Sequence, residues 1–368
     1  MSAHLNRRSF LTQVSVAAIA TGLSSIPFIS SAQPANGRKK LGIALVGLGY
    51  YSVDLLMPAL EQTKQVKLAG LVTGTPEKAR KYGEKYHIPK ENIYNYQNFD
   101  EIARNKAIDV VYIVLPNSMH KEFVLRAAKA GKQVICEKPM ALNAGECREM
   151  IAACKNAGVS LSIGYRLHYE PYTQRIMKMA KEKPYGELYV VHASAGFRMN
   201  RPTDHWKAKS DLGGGAIMDM GAYPLQAARY ATGLEPIAVT AQQFNTDPKV
   251  FVGVDETTTF QLEFPNNIVA NCLTSFAANV NFLNITAQNG EYGLRPFNGY
   301  NGLHGYLPKN ETFDYPVMNQ QAKQMDEMCL SMMANKPSIT PGEEGLRDMI
   351  IIDAMRESVR KGGARIVL

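Results

Sequence analysis

Two short segments of the sequence carry side chains that could exchange a proton with a substrate hydroxyl. In the first, Lys138 follows Glu137 and precedes Pro139, whose ring fixes the backbone there. In the second, Asp219 and Tyr223 are four residues apart, a spacing that on a helix puts both side chains on one face. The ordinary pKa of tyrosine is about 10, and a nearby ammonium group lowers it. If the fold brings Tyr223 near Lys138, Tyr223 could take and return the substrate proton while Asp219 holds a second hydroxyl. The alternatives are a buried tyrosine with a satisfied hydroxyl and an exposed loop lysine.

A glycine-rich turn lies between an apolar run and a helical pattern. Residues 41–46 are continuously apolar, as in a buried parallel strand, and they lead into Gly47-Leu48-Gly49-Tyr50-Tyr51-Ser52. The first glycine permits the tight turn, and the second lets a pyrophosphate approach the free N–H groups of the next helix. Ser52 replaces the third glycine of the dinucleotide-binding pattern and is small enough for close helix packing. We predict that this turn binds a dinucleotide; a glycine-rich turn without a ligand is the alternative.

The end of the second predicted strand indicates which dinucleotide binds. Residues 66–72 lead into Thr73-Gly74-Thr75, where an NAD enzyme usually carries an acid for the ribose 2′-hydroxyl. This chain has no acid there, and Lys78 and Arg80 follow on a predicted helix at 76–86. Hydroxyl groups and a nearby cation suit a 2′-phosphate, so we predict NADP rather than NAD, contacted by Thr73, Gly74 and Lys78. Alternatively, Lys78 and Arg80 are solvated charges of a helix surface.

Two further apolar strands continue the alternation of strands and helices. Residues 108–115 lead into Pro116, and residues 134–136 lead into Glu137 and Lys138. The alternation predicts an α/β fold with a doubly wound parallel sheet. Ligands of such a sheet bind beyond the carboxyl ends of its strands, where all of these motifs are expected to meet.

The composition excludes several other classes of protein. The 368 residues are 45% hydrophobic and carry a net charge of +8 without long runs of like charge, so a nucleic-acid-binding patch is not expected. The five cysteines are scattered, and the histidines lack the spacing of metal ligands, so we predict no disulfide framework and no metal. No apolar stretch reaches the ~20 residues that a membrane-spanning helix needs.

The first 32 residues are typical of an export signal. Arg7 and Arg8 precede a mildly apolar stretch, residues 11–23, and the small residues Ser30-Ser31-Ala32 follow. The paired arginines before Ser-Phe-Leu resemble a twin-arginine signal, which predicts a periplasmic protein exported in its folded state. An ordinary secretory signal or an uncut anchor is the alternative, and cleavage after Ala32 stays open.

A series of short motifs extends over residues 41–360. They are Val-Gly-Leu-Gly at 46–49, Leu-Pro-Asn-Ser at 115–118 with His120, Cys-Glu-Lys-Pro-Met at 136–140, Gly164-Tyr165-Arg166, His168-Tyr169, Gly213-Gly214-Gly215, Met218-Asp219-Met220-Gly221-Ala222-Tyr223 and Pro341-Gly342-Glu343-Glu344-Gly345. Together they resemble the Gfo/Idh/MocA family of oxidoreductases, and most of all its glucose–fructose oxidoreductase branch.

The resemblance implies a second domain with an open, mostly antiparallel sheet that forms the substrate cleft and often an oligomer interface. Stretches rich in β-forming residues are compatible with it, at 188–195, 237–244, 257–264, 268–275 and 282–287. Residues 319–335 and 343–361 return to helical spacing. We predict an export signal at 1–32, a dinucleotide-binding domain at 38–160 and a substrate and oligomerisation domain at 161–368, with C-terminal helices packing back on the first domain.

The resemblance also assigns residues. In the family the proline at 139 is often cis, the lysine at 138 reaches the nicotinamide and the reacting oxygen, and many members have histidine where this chain has Tyr223. The cofactor contacts that it adds are Leu115, Pro116, Asn117, His120, Glu137, Lys138, Arg166 and Trp206. His168 and Lys207 are further candidates for the cleft, and for each of these residues a purely structural role is the alternative.

These predictions combine into an exported, NADP-dependent enzyme that passes hydride between sugars. Outside the cytoplasm NADP is not replenished, so a retained cofactor would oxidise one sugar to a lactone and reduce a second sugar to a polyol. The resemblance also implies that the protein is a homodimer or a homotetramer. The glucose–fructose branch has a long proline-rich arm where this chain has only residues 33–40, so retention and assembly through that arm do not carry over directly. Two alternatives stay open: an NAD-dependent glycosidase that oxidises its sugar transiently, and a non-catalytic NADP- or sugar-binding protein.

Overall fold

The computed structural model describes residues 40–200 and 205–368. The predicted export signal at 1–32, with its paired arginines, and all but the last residue of the 33–40 segment lie outside the described residues. Residues 40–368 pack as one compact unit. No helix of the described residues is long and apolar enough to cross a membrane.

The first half of this unit is built on a parallel sheet of six strands. The strands are β1 (Leu41–Val46), β2 (Val66–Val72), β3 (Ile93–Tyr94), β4 (Val110–Ile113), β5 (Gln133–Cys136) and β6 (Leu161–Ile163). Their order across the sheet is β3-β2-β1-β4-β5-β6, which confirms the predicted doubly wound α/β sheet. The apolar runs form its centre because both faces are covered: β4 is buried at every residue. The strand β6 lies beyond residue 160, where we expected the first domain to end.

Four helices of this half have bounds set by local signals. They are α1 (Met57–Leu60), α2 (Pro76–Lys85), α3 (His120–Lys129) and α4 (Ala144–Asn156). Pro76 begins α2, a position where its missing N–H costs no hydrogen bond. Asn143 caps α4 by accepting a hydrogen bond from the N–H of Glu146 at 2.9 Å. The turn from Tyr51 to Leu56 is π-helical and joins the glycine-rich segment to α1.

The second half is built on a mixed sheet of nine strands. They are β7 (Leu188–Gly196), β8 (Ala238–Phe244), β9 (Thr257–Glu263), β10 (Val269–Ser275), β11 (Val280–Ala287), β12 (Gly290–Leu294), β13 (Gly305–Tyr306), β14 (Thr312–Phe313) and β15 (Ile366–Val367). Their order is β14-β13-β12-β11-β7-β10-β9-β8-β15, and of the described pairs only β7 and β10 run parallel. The prediction of a mostly antiparallel second sheet is therefore confirmed.

One face of the second sheet is covered by helices and the other is not. The helices of this half are α5 (Pro171–Glu182), α6 (Ala216–Asp219), α7 (Ala222–Thr232), α8 (Gln320–Met333) and α9 (Gly342–Arg360), of which α6, α7 and α9 pack on the sheet. Along β7, Val191, Ala193 and Ala195 are buried on the side of α7, while His192 on the opposite face is exposed. This alternation is typical of a strand with one solvated face.

The last two helices pack on different parts of the protein. The helix α8 packs near α1 and β2, where Met325 and Cys329 join the apolar cluster of Ile43 and Leu45. The helix α9 packs against α4 and β8. The helix α9 therefore connects the two sheets, and the carboxyl ends of β1, β4 and β5 are directed towards the first residues of α7.

Candidate active site

A cleft of about 400 Å³ opens at the carboxyl ends of the parallel strands. It is lined by Gly49, Tyr50, Tyr51, Val114, Leu115, Asn117, Glu137, Lys138, Gly164, Tyr165, Arg166, Leu167, His205, Trp206, Lys207, Asp219, Ala222, Tyr223, Gln226 and Tyr300. The lining brings together residues from both sheets that are far apart in sequence. This is the edge at which doubly wound sheets bind their ligands.

The glycine-rich turn after β1 has the geometry that a dinucleotide requires. Gly47 has a φ of +92°, and a Cβ there would lie 2.3 Å from the carbonyl oxygen of Val114. A Cβ at Gly49 would meet nothing within 4 Å, so the backbone at that residue faces open space. Ser52 is buried and donates to the carbonyl oxygen of Gly47 at 2.5 Å, which ties the helical turn to the strand end. A pyrophosphate fits the open space at Gly49 beside the first helical N–H groups.

The end of β2 fits the 2′-phosphate of NADP. Lys78 reaches back from α2 and donates to the carbonyl oxygen of Leu48 at 2.9 Å, which places an ammonium group beside the glycine-rich turn. Thr73 is buried, and its hydroxyl accepts a hydrogen bond from the N–H of Thr75 at 3.2 Å. Gly74 is exposed to solvent, and a Cβ there would lie 2.9 Å from the ring of Tyr96. A cation and hydroxyl groups, without a carboxylate at this strand end, suit a phosphate better than a ribose hydroxyl pair.

The segment after β4 contributes a lining and a support. Leu115 and Asn117 line the cleft, but the amide of Asn117 donates to the carbonyl oxygen of Gly213 at 2.7 Å. His120 is fully buried, with its ring nitrogens 2.9 and 3.0 Å from the carbonyl oxygens of Leu115 and Pro139. Burial lowers the pKa of this imidazole. We predicted His120 as a cofactor contact, and the structure corrects this, because its side chain is enclosed and joins two loops. Pro116 is half-buried and is not part of the lining.

Glu137 is fixed from three sides at the end of β5. One carboxylate oxygen accepts from the hydroxyl of Tyr112 at 2.6 Å, and the other accepts from the N–H of Lys138 at 3.2 Å. A Cβ at Gly164 would lie 2.5 Å from this carboxylate, so the glycine leaves the room that it occupies. Burial raises the pKa of Glu137, although Tyr112 and Lys138 act against the shift.

Lys138 lies at the centre of the cluster. Its peptide bond to Pro139 is cis, as the resemblance implied. Its Nζ donates to the backbone carbonyl of Asp219 at 2.6 Å, lies 3.8 Å from that residue's carboxylate and 4.7 Å from the ring centroid of Tyr223. Burial acts to lower the pKa of Lys138, but Tyr223, Asp219 and Glu137 outweigh burial and raise it. The side chain is therefore an ammonium group at neutral pH.

Asp219 and Tyr223 share the cleft without sharing a helix. Asp219 ends α6, Tyr223 is the second residue of α7, and Met220 and Gly221 separate the two helices. A Cβ at Gly221 would lie 2.3 Å from the carbonyl oxygen of Ile217, so the glycine permits the close turn. The expectation of one continuous helix face was therefore wrong, although both side chains do face Lys138.

The charges around these two residues act in the same direction. Lys207 donates to the carboxylate of Asp219 at 2.6 Å, and although burial opposes ionisation, Lys207 and Lys138 hold the pKa of Asp219 below its usual range. Burial likewise opposes ionisation of Tyr223, but Arg166 and Lys138 outweigh it and lower its pKa. The hydroxyl of Tyr223 lies 3.5 Å from Nη2 of Arg166. The cluster thus stabilises negative charge at a tyrosine oxygen.

The remaining candidates divide between the cleft and the core. Trp206 and Lys207 line the cleft from a short helical turn, Trp206–Ala208. His168 does not line it: the ring lies edge-on to Tyr230 at 4.8 Å, and burial lowers its pKa to about 4. Sequence reasoning missed Tyr300, whose ring centroid lies 4.4 Å from the guanidinium of Arg166. No local pattern around Tyr300 identifies it, because its contacts come from segments remote in sequence. The described part of the chain brings no three metal-ligating side chains together.

Comparisons with known proteins match both halves. Residues 41–165 match the model of an oxidoreductase family with an NAD-binding Rossmann fold, and residues 173–292 match the GFO/IDH/MocA C-terminal domain. The aldose–aldose oxidoreductase of Caulobacter crescentus, solved with glycerol, is 38% identical, with a TM-score of 0.85 over 90% of this chain and 100% of that one. An NADP-dependent D-xylose 1-dehydrogenase of Haloarcula marismortui is 28% identical over 86% of this chain and 90% of its own length. A trans-1,2-dihydrobenzene-1,2-diol dehydrogenase of Sus scrofa is 26% identical over 86% and 93%, respectively.

Proposed function

The chain belongs to the GFO/IDH/MocA family of oxidoreductases, and we propose that it transfers hydride between two sugars by way of an NADP that it retains. An aldose is oxidised to its aldonolactone, and a second aldose or a ketose is reduced to a polyol. The likeness to an aldose–aldose oxidoreductase and to an NADP-dependent xylose dehydrogenase supports sugars as substrates and NADP as the cofactor.

One arrangement carries this proposal: Tyr223 lies between the buried guanidinium of Arg166 and the partly buried ammonium group of Lys138, in the cleft that begins at the glycine-rich turn. Lys138 Nζ is 4.7 Å and Arg166 Cζ is 5.4 Å from its ring centroid. A tyrosine with a lowered pKa is better suited than an ordinary tyrosine to accept a proton from an alcohol. A non-catalytic binding protein has no need for this arrangement.

The residues divide the work of the first half-reaction. Bound NADP⁺ supplies a hydride acceptor, and once reduced it supplies the hydride donor for the second sugar. As the C1–H bond of the aldose breaks, the Oη of Tyr223 takes the proton of the C1 hydroxyl, and the C1–O bond becomes the carbonyl of the lactone. Lys138 Nζ stabilises the negative charge on the reacting oxygen. Asp219, held by Lys207 at 2.6 Å, accepts a hydrogen bond from a second sugar hydroxyl.

The second half-reaction uses the same groups in reverse. After the lactone leaves, the carbonyl of the second sugar takes its place against Lys138, and Tyr223 returns the proton to the oxygen as carbon receives hydride. Each substrate therefore enters the same cleft in turn, which is a ping-pong cycle. The protonated Tyr223 left by the first sugar is the form that the second sugar needs, so one full cycle leaves the enzyme unchanged.

Export belongs to the proposal because it explains why the cofactor would be retained. The sequence of residues 1–32 supports a twin-arginine signal and a periplasmic location, and the folded enzyme would carry NADP with it.

We also propose that the exposed face of the second sheet joins two or four copies of the chain. Light scattering on the purified protein gives the number of copies directly.

The first experiment is to purify the protein without added nucleotide, denature it and identify any released cofactor by absorbance and mass. We expect NADP(H) near one per chain, and then steady formation of lactone and polyol from paired sugars without added cofactor. A single turnover that stops with both sugars present would contradict the cycle. Released NAD, together with cleavage of glycosides without net oxidation, would instead support the glycosidase. Tyr223→Phe should keep the bound NADP but lose the transfer.

A further inference from the structure

One wall of the cleft comes from a segment that contains none of the sequence motifs. Residues 295–304 connect β12 to β13 in the second half of the protein. Tyr300 from this segment lines the cleft together with Gly49, Tyr50 and Tyr51 of the glycine-rich turn. The second sheet thereby places an aromatic side chain beside the part of the first sheet that is suited to a pyrophosphate.

The backbone of this segment is anchored by polar side chains from three different elements. The side-chain oxygen of Asn281 on β11 accepts hydrogen bonds from the N–H groups of Phe297 and Asn298, at 2.8 and 3.2 Å. Arg166 donates to the carbonyl oxygens of Asn298 and Gly299. Gln320, at the start of α8, also donates to the carbonyl oxygen of Gly299, at 3.1 Å. Arg166 is only 4% exposed, so these hydrogen bonds are shielded from water. These hydrogen bonds hold both the donors and the acceptors of the backbone at residues 297–299, directly before Tyr300.

The anchors also fix the ring of Tyr300. The Arg166 guanidinium lies 4.4 Å from its centroid, and the ring of Tyr51 lies 6.4 Å away on the first domain. Tyr300 nevertheless remains 39% exposed, so part of the ring is available to a ligand in the cleft. A flat ring on a fixed backbone loses little conformational freedom when it packs on a ligand.

We infer that Tyr300 is a cofactor-binding residue, which covers the glycine-rich end of the cleft and slows the release of the dinucleotide. Arg166 is its positioning residue, because it holds both the ring and the carbonyl oxygens before it. The inference rests on the proposed binding of NADP at Gly47–Tyr51 and adds the contact from the second domain that retains it. Retention through this contact does not require the long arm of the glucose–fructose branch.

The test compares the rate at which NADPH is released from the full-length protein and from its single-residue variants. Protein loaded with NADPH is mixed with excess NADP⁺, and the loss of bound-NADPH fluorescence gives the dissociation rate. We expect Tyr300→Ala to release NADPH about tenfold faster, because the ring contact is lost. Tyr300→Phe keeps the ring and should stay within about twofold of the parent, as should Asn301→Ala at the exposed neighbouring position.

Two further results separate this inference from the proposed function. Arg166→Met should also speed release, because the wall loses its main anchor, while urea unfolding checks that the variant is folded. Equal dissociation rates for the parent and Tyr300→Ala would overturn the inference and leave sugar-to-sugar transfer standing. A parent that binds no NADPH would overturn both. Rapid release from the parent that is unchanged in every variant would overturn the role of Tyr300 and the retained cofactor, but not dinucleotide binding.

Discussion

At the scale of single residues, the proposed chemistry depends on Tyr223. Tyr223→Phe removes only the hydroxyl, and we expect kcat for sugar oxidation to fall by about 10²–10⁴, the usual contribution of a general base. Tyr189→Phe is the matched control, since that tyrosine is 51% exposed near the start of β7 and does not line the cleft. Steady-state rates of lactone formation measure both. Comparable kcat values for the two variants would show that another group takes the proton.

The charges around Tyr223 predict the direction of a pH effect. Oxidation requires the deprotonated tyrosine, so its rate should rise with pH through the pKa of Tyr223. Burial raises that pKa, but Arg166 and Lys138 lower it further than burial raises it. Arg166→Gln removes one cation, so the pKa of Tyr223 moves up and the rising limb of kcat against pH moves to higher pH. A rising limb that stays in place would show that Arg166 acts on the cleft only through packing.

Lys78 predicts the preference between the two nicotinamide dinucleotides. Its ammonium group lies beside the glycine-rich turn, 2.9 Å from the Leu48 carbonyl oxygen, and would pair with a 2′-phosphate. Lys78→Ala should weaken NADP binding by about tenfold, equal to roughly 1.4 kcal/mol, and leave NAD binding unchanged. Arg80→Ala, at an exposed position on the same helix, is the comparison. Titration of each dinucleotide measures the preference, and equal losses for NAD and NADP would exclude a 2′-phosphate contact.

At the scale of elements, two glycines of one turn have separable roles. A Cβ at Gly47 would clash with the Val114 carbonyl at 2.3 Å and would sit at a positive φ, whereas a Cβ at Gly49 would meet nothing within 4 Å. Gly47→Ala should therefore lower the free energy of unfolding by about 1–3 kcal/mol. Gly49→Ala should leave the stability of the nucleotide-free protein unchanged and weaken dinucleotide binding, because the methyl group occupies the space of a phosphate.

Urea unfolding without nucleotide, combined with NADP titration, separates these two effects. If Gly49→Ala bound NADP as tightly as the parent, the pyrophosphate would not approach this turn. If Gly47→Ala were as stable as the parent, the backbone at β1 would be free to relax away from β4. The pair of variants thus tests the glycine-rich turn as a binding element independently of any sugar chemistry.

The strands were predictable because both faces of the first sheet are buried, so their sequences are continuous apolar runs such as residues 41–46 and 110–113. The proximity of Lys138 to Tyr223 followed from family resemblance, since no spacing in the sequence joins two residues on different sheets. Tyr300 was not predicted because the residues that hold its segment are remote in sequence: Arg166 donates to the carbonyl oxygen of Gly299, 133 residues away. The break between α6 and α7 also escaped, since it depends on how closely Gly221 approaches Ile217.

At the scale of the whole molecule, a buried ion network holds the catalytic helix against the rest of the protein. The helix α7 carries Tyr223 near its start and Arg229 further along. Arg229 is 3% exposed and lies 2.8 Å from the carboxylates of both Glu344 and Asp348 on α9. Since α9 also packs against α4 of the first half, this network sets the position of Tyr223 relative to the parallel sheet.

We expect that breaking this network lowers the stability of the fold strongly, and more at high pH than at low pH. Arg229→Met leaves the buried carboxylate of Asp348 without its cation and leaves Glu344 only Arg347, 3.1 Å away, so we expect the free energy of unfolding to fall by about 3–5 kcal/mol. Burial already raises the pKa of Asp348 to about 6 in spite of Arg229, and removing the cation raises it further. A carboxyl group with a raised folded-state pKa destabilises the fold as pH rises through that window, so the variant should lose more stability near pH 8 than near about pH 5. Arg365→Met, at an exposed pair with Glu263, should cost at most about 1 kcal/mol at either pH. Equal and small losses in both arginine variants would mean that apolar packing alone positions α7.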